Sequence, residues 1–477
     1  MKEAQHHRAI DYFKWLTTIP RCSGHEEAVG NALMEWAAQH DFHAIRDNVG
    51  NILIRRPGRE NTKDKTPIVL QGHMDMVCVK TPDSHHDFSC DPIPIRIEDD
   101  WIFSEETTLG ADNGIAVAMG MALLEEEGDF PPLELLITVD EEQGMSGAIA
   151  LDPSWLEGKS LINIDSEEEG TFVAGCAGGQ VDQLVYQKEI CPRRFSSVAH
   201  LSLEGLQGGH SGMEIHRGLG NANLLLARVL DDLLEKGLVE VLHFHGGAKS
   251  NAIPRDAVAT IAFDEEEEVK KSVEHWEKIL AEEFSPLETD LRLYLTETTC
   301  EDDALTHELA QNMLQAMLVL PNGVYSMSHM IPELVESSSN LGTVQEKEDS
   351  FLLTATLRSS LDSKKTEISR KFAKVAHMTG AEHIAGGGYP AWEYHEESPL
   401  RHKAILLYRE MFDKPPTVDV IHAGLECAHF ASRLPGLDMI SIGPNVLGAH
   451  APGERVSISS TLRVYEFLKQ FLTTLGE

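Results

Sequence analysis

Residues 133–142, Leu133-Glu134-Leu135-Leu136-Ile137-Thr138-Val139-Asp140-Glu141-Glu142, pass from a mainly apolar run to an acidic end. Leu133 to Val139 reads as a strand covered on both faces, as in the middle of an α/β sheet. Adjacent residues of an extended chain point apart. Glu141 and Glu142 at its end can therefore divide their work, one binding a cation and the other facing water. Two carboxylates so close together repel, and divalent cations relieve that cost. Taken alone, the doublet reads equally as an ordinary acidic strand end.

The same arrangement recurs on either side. Apolar Ile68-Val69-Leu70 leads into Gly72-His73-Met74-Asp75, and Leu161-Ile162-Asn163-Ile164 leads into Asp165. Asn51-Ile52-Leu53-Ile54 is a further strand. Helices fall between: one through Ile10, Phe13, Trp15 and Leu16 that Pro20 ends, and one opened by the capping-box pattern Ser23-x-x-Glu26. A third starts near Asn113 and continues through Val117, Met121 and Leu124. Alternating strands and helices predict an α/β domain with a mostly parallel central sheet flanked by helices.

From about Val181 to Gly388 the texture changes to Gly-rich turns (Gly208-Gly209, Gly246-Gly247), strand-like Val258 to Phe263 and helices rich in Glu and Lys. The run Asp264 to Glu268 reads as a solvated loop or helix start. Gly386-Gly387-Gly388-Tyr389-Pro390 reads as a hinge. Beyond it the α/β texture resumes, with a helix around Leu400 to Met411 and apolar Met439-Ile440-Ser441-Ile442. The expected organisation is a first domain made of 1–181 and 391–477, interrupted by an inserted α+β domain over 182–390.

A chain of 477 residues is long for one domain, and its 42% hydrophobic content suffices for sizeable cores. Lys and Arg number 40 against 77 Asp and Glu, a formal charge of −37. Such a surface repels phosphate backbones and anionic lipid, so nucleic-acid and membrane partners are not expected, while a focused negative field concentrates divalent cations. The seven cysteines (22, 78, 90, 176, 191, 300 and 427) are odd in number and contain no CxxC pair, predicting free thiols in a reducing compartment. The first residues carry no apolar signal region, and no stretch approaches about 18 uninterrupted apolar residues. The expectation is a cytoplasmic protein.

Five stretches carry ligand-type residues at the ends of predicted strands or in nearby Gly-rich loops: His73 and Asp75, Asp112, Glu141 and Glu142, Asp165, and His450. Each has a plain alternative. Asp112 suits a helix N-cap, His73 and Asp75 a chance pair, and His450 an exposed loop. Pairs such as His6-His7 and His85-His86 read as surface residues. In open α/β sheets, however, sites form beyond the carboxyl ends of the strands, where the five stretches gather. The inventory suits two hard-to-borderline divalent cations and a base for their bound water, which is the equipment of metal-assisted hydrolysis.

Longer stretches carry a resemblance: Arg46-Asp47-Asn48-Val49-Gly50-Asn51, Thr107-Thr108-Leu109-Gly110-Ala111-Asp112-Asn113-Gly114, Asp165-Ser166-Glu167-Glu168-Glu169-Gly170, Cys176-Ala177-Gly178-Gly179, Gly208-Gly209-His210-Ser211-Gly212, Asn251-Ala252-Ile253-Pro254-Arg255 and His422-Ala423-Gly424-Leu425-Glu426-Cys427. Over nearly its full length the chain resembles metallopeptidase family twenty, the carnosinase, aminoacylase and glutamate-carboxypeptidase group, and most closely its dipeptidase branch.

That resemblance implies a di-zinc catalytic domain and a lid domain through which members often form homodimers. His73 and Asp165 would hold one zinc, Glu142 and His450 the other, and Asp112 both, with a cis peptide after Asp112. Manganese and cobalt accept the same donors. Glu141 would be the general base and Asp75 the partner behind His73. His210 would serve the tetrahedral oxyanion. Asn251, Arg358 and the Gly424 loop would serve the substrate's carboxylate, and Glu426 its amino group or the framework. The implied reaction is hydrolysis of unblocked dipeptides, Xaa-His and broader. The alternatives are a deacylase or carboxypeptidase acting on N-acyl amino acids and a catalytically silent metal- or peptide-binding homologue.

Overall fold

The computed structural model describes residues 6–59 and 61–476. Two compact units divide the chain: Met1–Cys176 with Tyr394–Val420 and Leu425–Glu477, and Ala177–Glu393 with Ile421–Gly424.

The first unit is organised by an eight-stranded sheet. Its strands are β1 (His43–Arg46), β2 (Ile52–Arg56), β3 (Ile68–His73), β4 (Leu133–Thr138), β5 (Ser160–Asn163), β6 (Thr171–Cys176), β7 (Thr417–Ile421) and β8 (Asp438–Ser441), in the order β1-β2-β4-β3-β5-β8-β6-β7. The centre is parallel: β3 pairs β4 and β5, and β5 pairs β8. The flanks are antiparallel, with β2 against both β1 and β4 and β8 against β6. The sheet is thus mixed, and its parallel part lies where the apolar runs predicted it.

Every residue of β3 and β4 is buried. The one charge in those runs, Glu134, is satisfied at the start of β4 by Arg55 Nε at 3.2 Å and by the amides of Glu157 and Gly158. That explains how a carboxylate is tolerated in a central strand.

The helix Ala111–Glu125 packs on β3 and is buried over nearly all its length. Gly72 lets it come close, since a Cβ there would lie 2.4 Å from Asn113 Oδ1 and 2.7 Å from the Ala116 Cβ. An alanine would force the helix start away from His73, and overpacking of this kind costs about 1–3 kcal/mol.

Several local expectations are corrected. The helix Glu27–Gln39 receives no side-chain cap; Ser23 instead donates to Asp75 Oδ2 at 2.7 Å. Gly386 to Gly388 do not form a hinge but lie within the strand Glu382–Tyr389, whose pairing with Gly178–Gln187 shifts register between Ala385 and Gly388. The cysteines are not all free, because Cys22 and Cys78 form a disulfide with Cα atoms 5.7 Å apart. A bridge between Cys22 and Met76 brings the two segments side by side across a sequence separation that hides the pair. Cys90, Cys176, Cys191, Cys300 and Cys427 form no disulfide. Among the described residues, no helix is long and apolar enough to cross a membrane.

The second unit is α+β. Eight strands run in the order Arg292–Glu297, Ser197–Glu204, Ala257–Phe263, Glu240–Gly246, Val335–Glu346, Ser350–Ser359, Gly178–Gln187 and Glu382–Tyr389, with Gly323–Met327 added on Val335–Glu346. The helices Ala222–Glu235, His307–Val319 and Asp362–Met378 contribute to its core, with Leu226, Leu230, Met313 and Phe372 among the buried contacts. The acidic run opens the helix Glu266–Glu283, with Glu266, Glu267 and Glu268 in its first turn, where carboxylates suit the helix dipole.

Candidate active site

In the first unit, β4, β3 and β5 are neighbours with His73 opposite Thr138 and Gln71 opposite Asn163. Their carboxyl ends therefore bring His73, Glu141, Glu142 and Asp165 to one edge of the sheet. Asp112 arrives from the start of the helix Ala111–Glu125, across a cis Asp112–Asn113 peptide. Asn113 fastens this turn to the sheet: its Oδ1 accepts from His73 N at 3.2 Å, and its Nδ2 donates to Ile164 O at 2.8 Å. His450 comes from the loop after Val446–Leu447, with a left-handed φ of 63°.

Asp112 stands in the middle. Its Oδ1 lies 3.3 Å from His73 Nε2, which is 3.5 Å from Asp165 Oδ1. Its Oδ2 lies 3.1 Å from His450 Nε2, which is 2.9 Å from Glu142 Oε2. Glu141 Oε2 is 3.9 Å from His73 Nε2. His73, Asp112 and Glu142 place ligand atoms within 4.8 Å of one another.

Behind His73, Asp75 Oδ1 is 3.2 Å from Nδ1, an ion-pair contact too poorly aligned to count as a hydrogen bond. Asp75 also accepts from Ser23 Oγ and from the amides of Glu141 and Glu142, at 3.1 and 3.3 Å for the amides. Burial alone would raise its pKa, but His73 and these donors bring it down to about 2.

The crowding has an electrostatic signature. Burial, with Asp112 and Glu142 adding to it, pushes Asp165 up to about 6 against the pull of His73. Burial pushes Glu141 well above the carboxylate range, opposed by His73 and reinforced by Asp165, Glu426 and Glu142. Burial likewise lifts Glu426 to about 7. Hydrogen bonds to Asp112 and Glu142 drive His450 up to about 11. Glu142 Oε1 is buried without a hydrogen-bond partner. A nitrogen–oxygen donor set in which carboxylates outnumber their counter-charges, with a buried oxygen left over, fits hard-to-borderline divalent cations.

The remaining candidates, apart from Glu426, are in the second unit. His210 pairs with Ala252 in a two-residue ladder next to Asn251, whose carbonyl accepts from Ser211 N at 3.0 Å. His210 Nδ1 accepts from the amides of Gly212 and Met213 at 3.3 and 3.0 Å. Those two N–H donors place the neutral ring's proton on Nε2. Arg358 is buried, with Nη2 3.4 Å from His210 Nε2 and Nη1 donating to Tyr389 Oη at 2.8 Å. Burial and then Arg358 lower the His210 pKa. Gly424 abuts the Tyr389 ring, which a Cβ would meet at 2.8 Å. Glu426, in the first unit, is fully buried. Its Oε2 accepts from Gln71 Nε2 and Thr138 Oγ1, both at 2.7 Å, and its Oε1 has no hydrogen-bond partner.

A family model described as Peptidase family M20/M25/M40 matches residues 69–474. The chain belongs to this family. It is 40% identical over 467 residues to the cytosol non-specific dipeptidase of Escherichia coli (strain K12), covering 97% of this chain and 96% of that one. Its fold superposes on the crystal structure of aminoacylhistidine dipeptidase from Vibrio alginolyticus with a TM-score of 0.88 and 34% identity, covering 99% of each chain. The aminopeptidase PepT structure from Bacillus cereus shares the fold, with a TM-score of 0.56 at 15% identity over 98% of each chain.

Two residues of this M20 chain escaped the sequence reading. Glu454 accepts from the amides of Leu109, Gly110 and Ala111 at 2.7, 2.9 and 2.7 Å and of Asp112 at 3.2 Å, holding the turn that presents Asp112. Arg21, also buried, donates to Met74 O at 3.1 Å and Asp75 O at 3.3 Å, and to Gly110 O. No local pattern marks either residue. The only hint at Glu454 is its place four residues after His450.

Proposed function

We propose that the chain is a two-metal dipeptidase that hydrolyses unblocked dipeptides, Xaa-His and broader. The observation that carries this reading is Asp112, which offers one oxygen to the His73–Asp165 pair and the other to the His450–Glu142 pair, while Glu141 keeps the longer distance of 3.9 Å to His73 Nε2. The two dipeptidase relatives, similar over nearly the full length, support the substrate class. His73 and Asp165 are assigned to one cation, Glu142 and His450 to the second, and Asp112 to both. Zinc is the first choice, with manganese and cobalt suited to the same donors. When bound, two such cations supply Lewis acidity and lower the pKa of a water between them.

Glu141 takes a proton from the attacking water and passes it to the leaving amine, a role that a carboxyl raised by burial suits. Asp75, held ionised, orients the His73 ring and strengthens it as a donor. The His210 Nε2–H is assigned to the oxyanion of the tetrahedral intermediate. Arg358 and Asn251 are assigned to the substrate's carboxylate, with the Gly424 loop as a backbone wall. Glu426 is assigned to the substrate's amino group or to bracing β3 and β4 through Gln71 and Thr138. The first unit would be the catalytic domain and the second the lid and dimerisation domain of a cytoplasmic homodimer.

Hydrolysis of free Xaa-His dipeptides should exceed that of their N-acylated analogues. Cleavage of blocked compounds alone would replace this reading with a deacylase or carboxypeptidase. No cleavage of either by the metal-loaded protein would leave a silent binding homologue.

A further inference from the structure

Elsewhere in the second unit, three unlike donors meet: His243 on the strand Glu240–Gly246, and Cys300 and Asp302 in the link between the strands Arg292–Glu297 and Ala304–Leu305. His243 Nε2 lies 3.1 Å from Asp302 Oδ2 and 4.0 Å from Cys300 Sγ, and that sulfur is 2.9 Å from the same Oδ2. The three separations bracket the roughly 3.3–3.6 Å between donors on one tetrahedral zinc with bonds of about 2.0–2.3 Å, so shifts of about half an ångström in the exposed Asp302 and half-buried Cys300 side chains would seat all three on one ion. The other face of the imidazole is also prepared. His243 Nδ1 lies 3.1 and 3.0 Å from the two oxygens of Glu346, which Lys188 pairs in turn. A carboxylate behind the second nitrogen is how metal-binding histidines are held in one tautomer. Arg193 Nη1 secures the link by donating to Cys300 O at 2.8 Å.

A protonated His243 between two carboxylates would be an ordinary ion-pair network, in which the Cys300 thiol only donates to Asp302 Oδ2; a soft sulfur beside an imidazole and a carboxylate is also a zinc-type donor set. We propose that His243, Cys300 and Asp302 bind one divalent cation of the zinc class, with Glu346 orienting the imidazole and a solvent molecule in the fourth position. On binding, the Cys300 thiol releases its proton to solvent and the thiolate becomes a ligand. The exposure of Asp302 gives the cation a path from solvent. The site would pin the 298–303 link to the strand carrying His243, independently of the activity proposed above.

Cobalt(II) loading of the full-length protein tests this. The donors His73, Asp112, Glu142, Asp165 and His450 include no sulfur, so a thiolate-to-cobalt charge-transfer band in the near ultraviolet reports on a cysteine site alone. The wild type should show the band and hold one cobalt more than Cys300→Ser or His243→Gln, both of which should lack it. Glu346→Gln should keep the band with about 10–100-fold weaker affinity. No band in the wild type at saturating cobalt, or an undiminished band in Cys300→Ser, would overturn the proposal. Failure of the two-metal reading would look different, as cobalt lost from the spectrum of the oxygen and nitrogen ligands with the thiolate band intact.

Discussion

In the first unit, Asp75, Asp112, Glu141, Glu142, Asp165 and Glu426 crowd around His73 and His450. In the second, the neighbours are His210, Arg358 and Tyr389, and the nearby Glu214 accepts the His210 amide and pairs with Arg217. The first group pushes Asp165 to about 6 and Glu426 to about 7 chiefly by burial. In the second, burial and Arg358 hold His210 below its usual range. Packing alone keeps neither group comfortable: one is short of positive charge and the other of negative charge. The dipeptidase proposed above would use both conditions, the carboxylates to hold its cations and Arg358 to receive the substrate's carboxylate.

Removing cations should break the comparison most completely. Chelation should abolish dipeptide hydrolysis and lower the melting temperature, and zinc, manganese or cobalt should restore both; activity unaffected by an exhaustive chelator would remove the two-metal reading. Glu141→Gln comes next, with kcat down by about 10²–10⁴-fold and metal content unchanged by elemental analysis. Loss of metal alongside activity would make Glu141 a ligand instead of the base.

Arg358→Met probes the cationic side. Losing charge-assisted bonds of about 1.5–3 kcal/mol should raise KM for free dipeptides about 10–150-fold, with little change for C-terminally amidated analogues; equal effects on both would place Arg358 away from the carboxylate. Glu454→Gln should weaken metal affinity about 10–100-fold by loosening the turn under Asp112, and competition with a calibrated chelator reads this directly.

The smallest effect concerns His422, which burial and then Arg358 hold at about 3 against an ordinary 6.5. Above pH 6.5 it is neutral folded and unfolded and contributes nothing. As pH falls below 6.5 only the unfolded chain takes the proton, so stability drops by up to about 1.4 kcal/mol per pH unit until the folded pKa is reached. His422→Gln should flatten that slope in melts between pH 6.5 and about 5.5. An unchanged slope would mean that His422 protonates in the folded protein at its ordinary pKa.

The central strands were legible because burial on both faces writes itself as an apolar run, and a run ending in His73, Glu141 or Asp165 points to a site at its carboxyl end. Glu141 and Glu142 do divide, but not by alternation along an extended chain: the strand ends at Thr138, Asp140 takes a left-handed φ of 56°, and the turn over 141–144 sets Glu142 beside His450 and Glu141 toward His73. The Ser23 motif misled because its hydroxyl had a stronger partner in buried Asp75 than in a helix amide. The three glycines at 386–388 read as a hinge because local sequence carries no record of the strand Gly178–Gln187, which pairs Ala385 and Gly388 on either side of a register shift that takes in Gly386 and Gly387.

The sequence by itself determined which residues could act and which strands would carry them, since ligand chemistry and strand burial are local properties. Tertiary structure alone decided that Asp112 turns one oxygen to each histidine, that Glu454 grips the turn beneath it, that Cys22 meets Cys78, and that His243 finds Cys300. Each of these is a contact between segments distant along the chain. Its free energy belongs to the packed fold, and no window of neighbouring residues contains both partners.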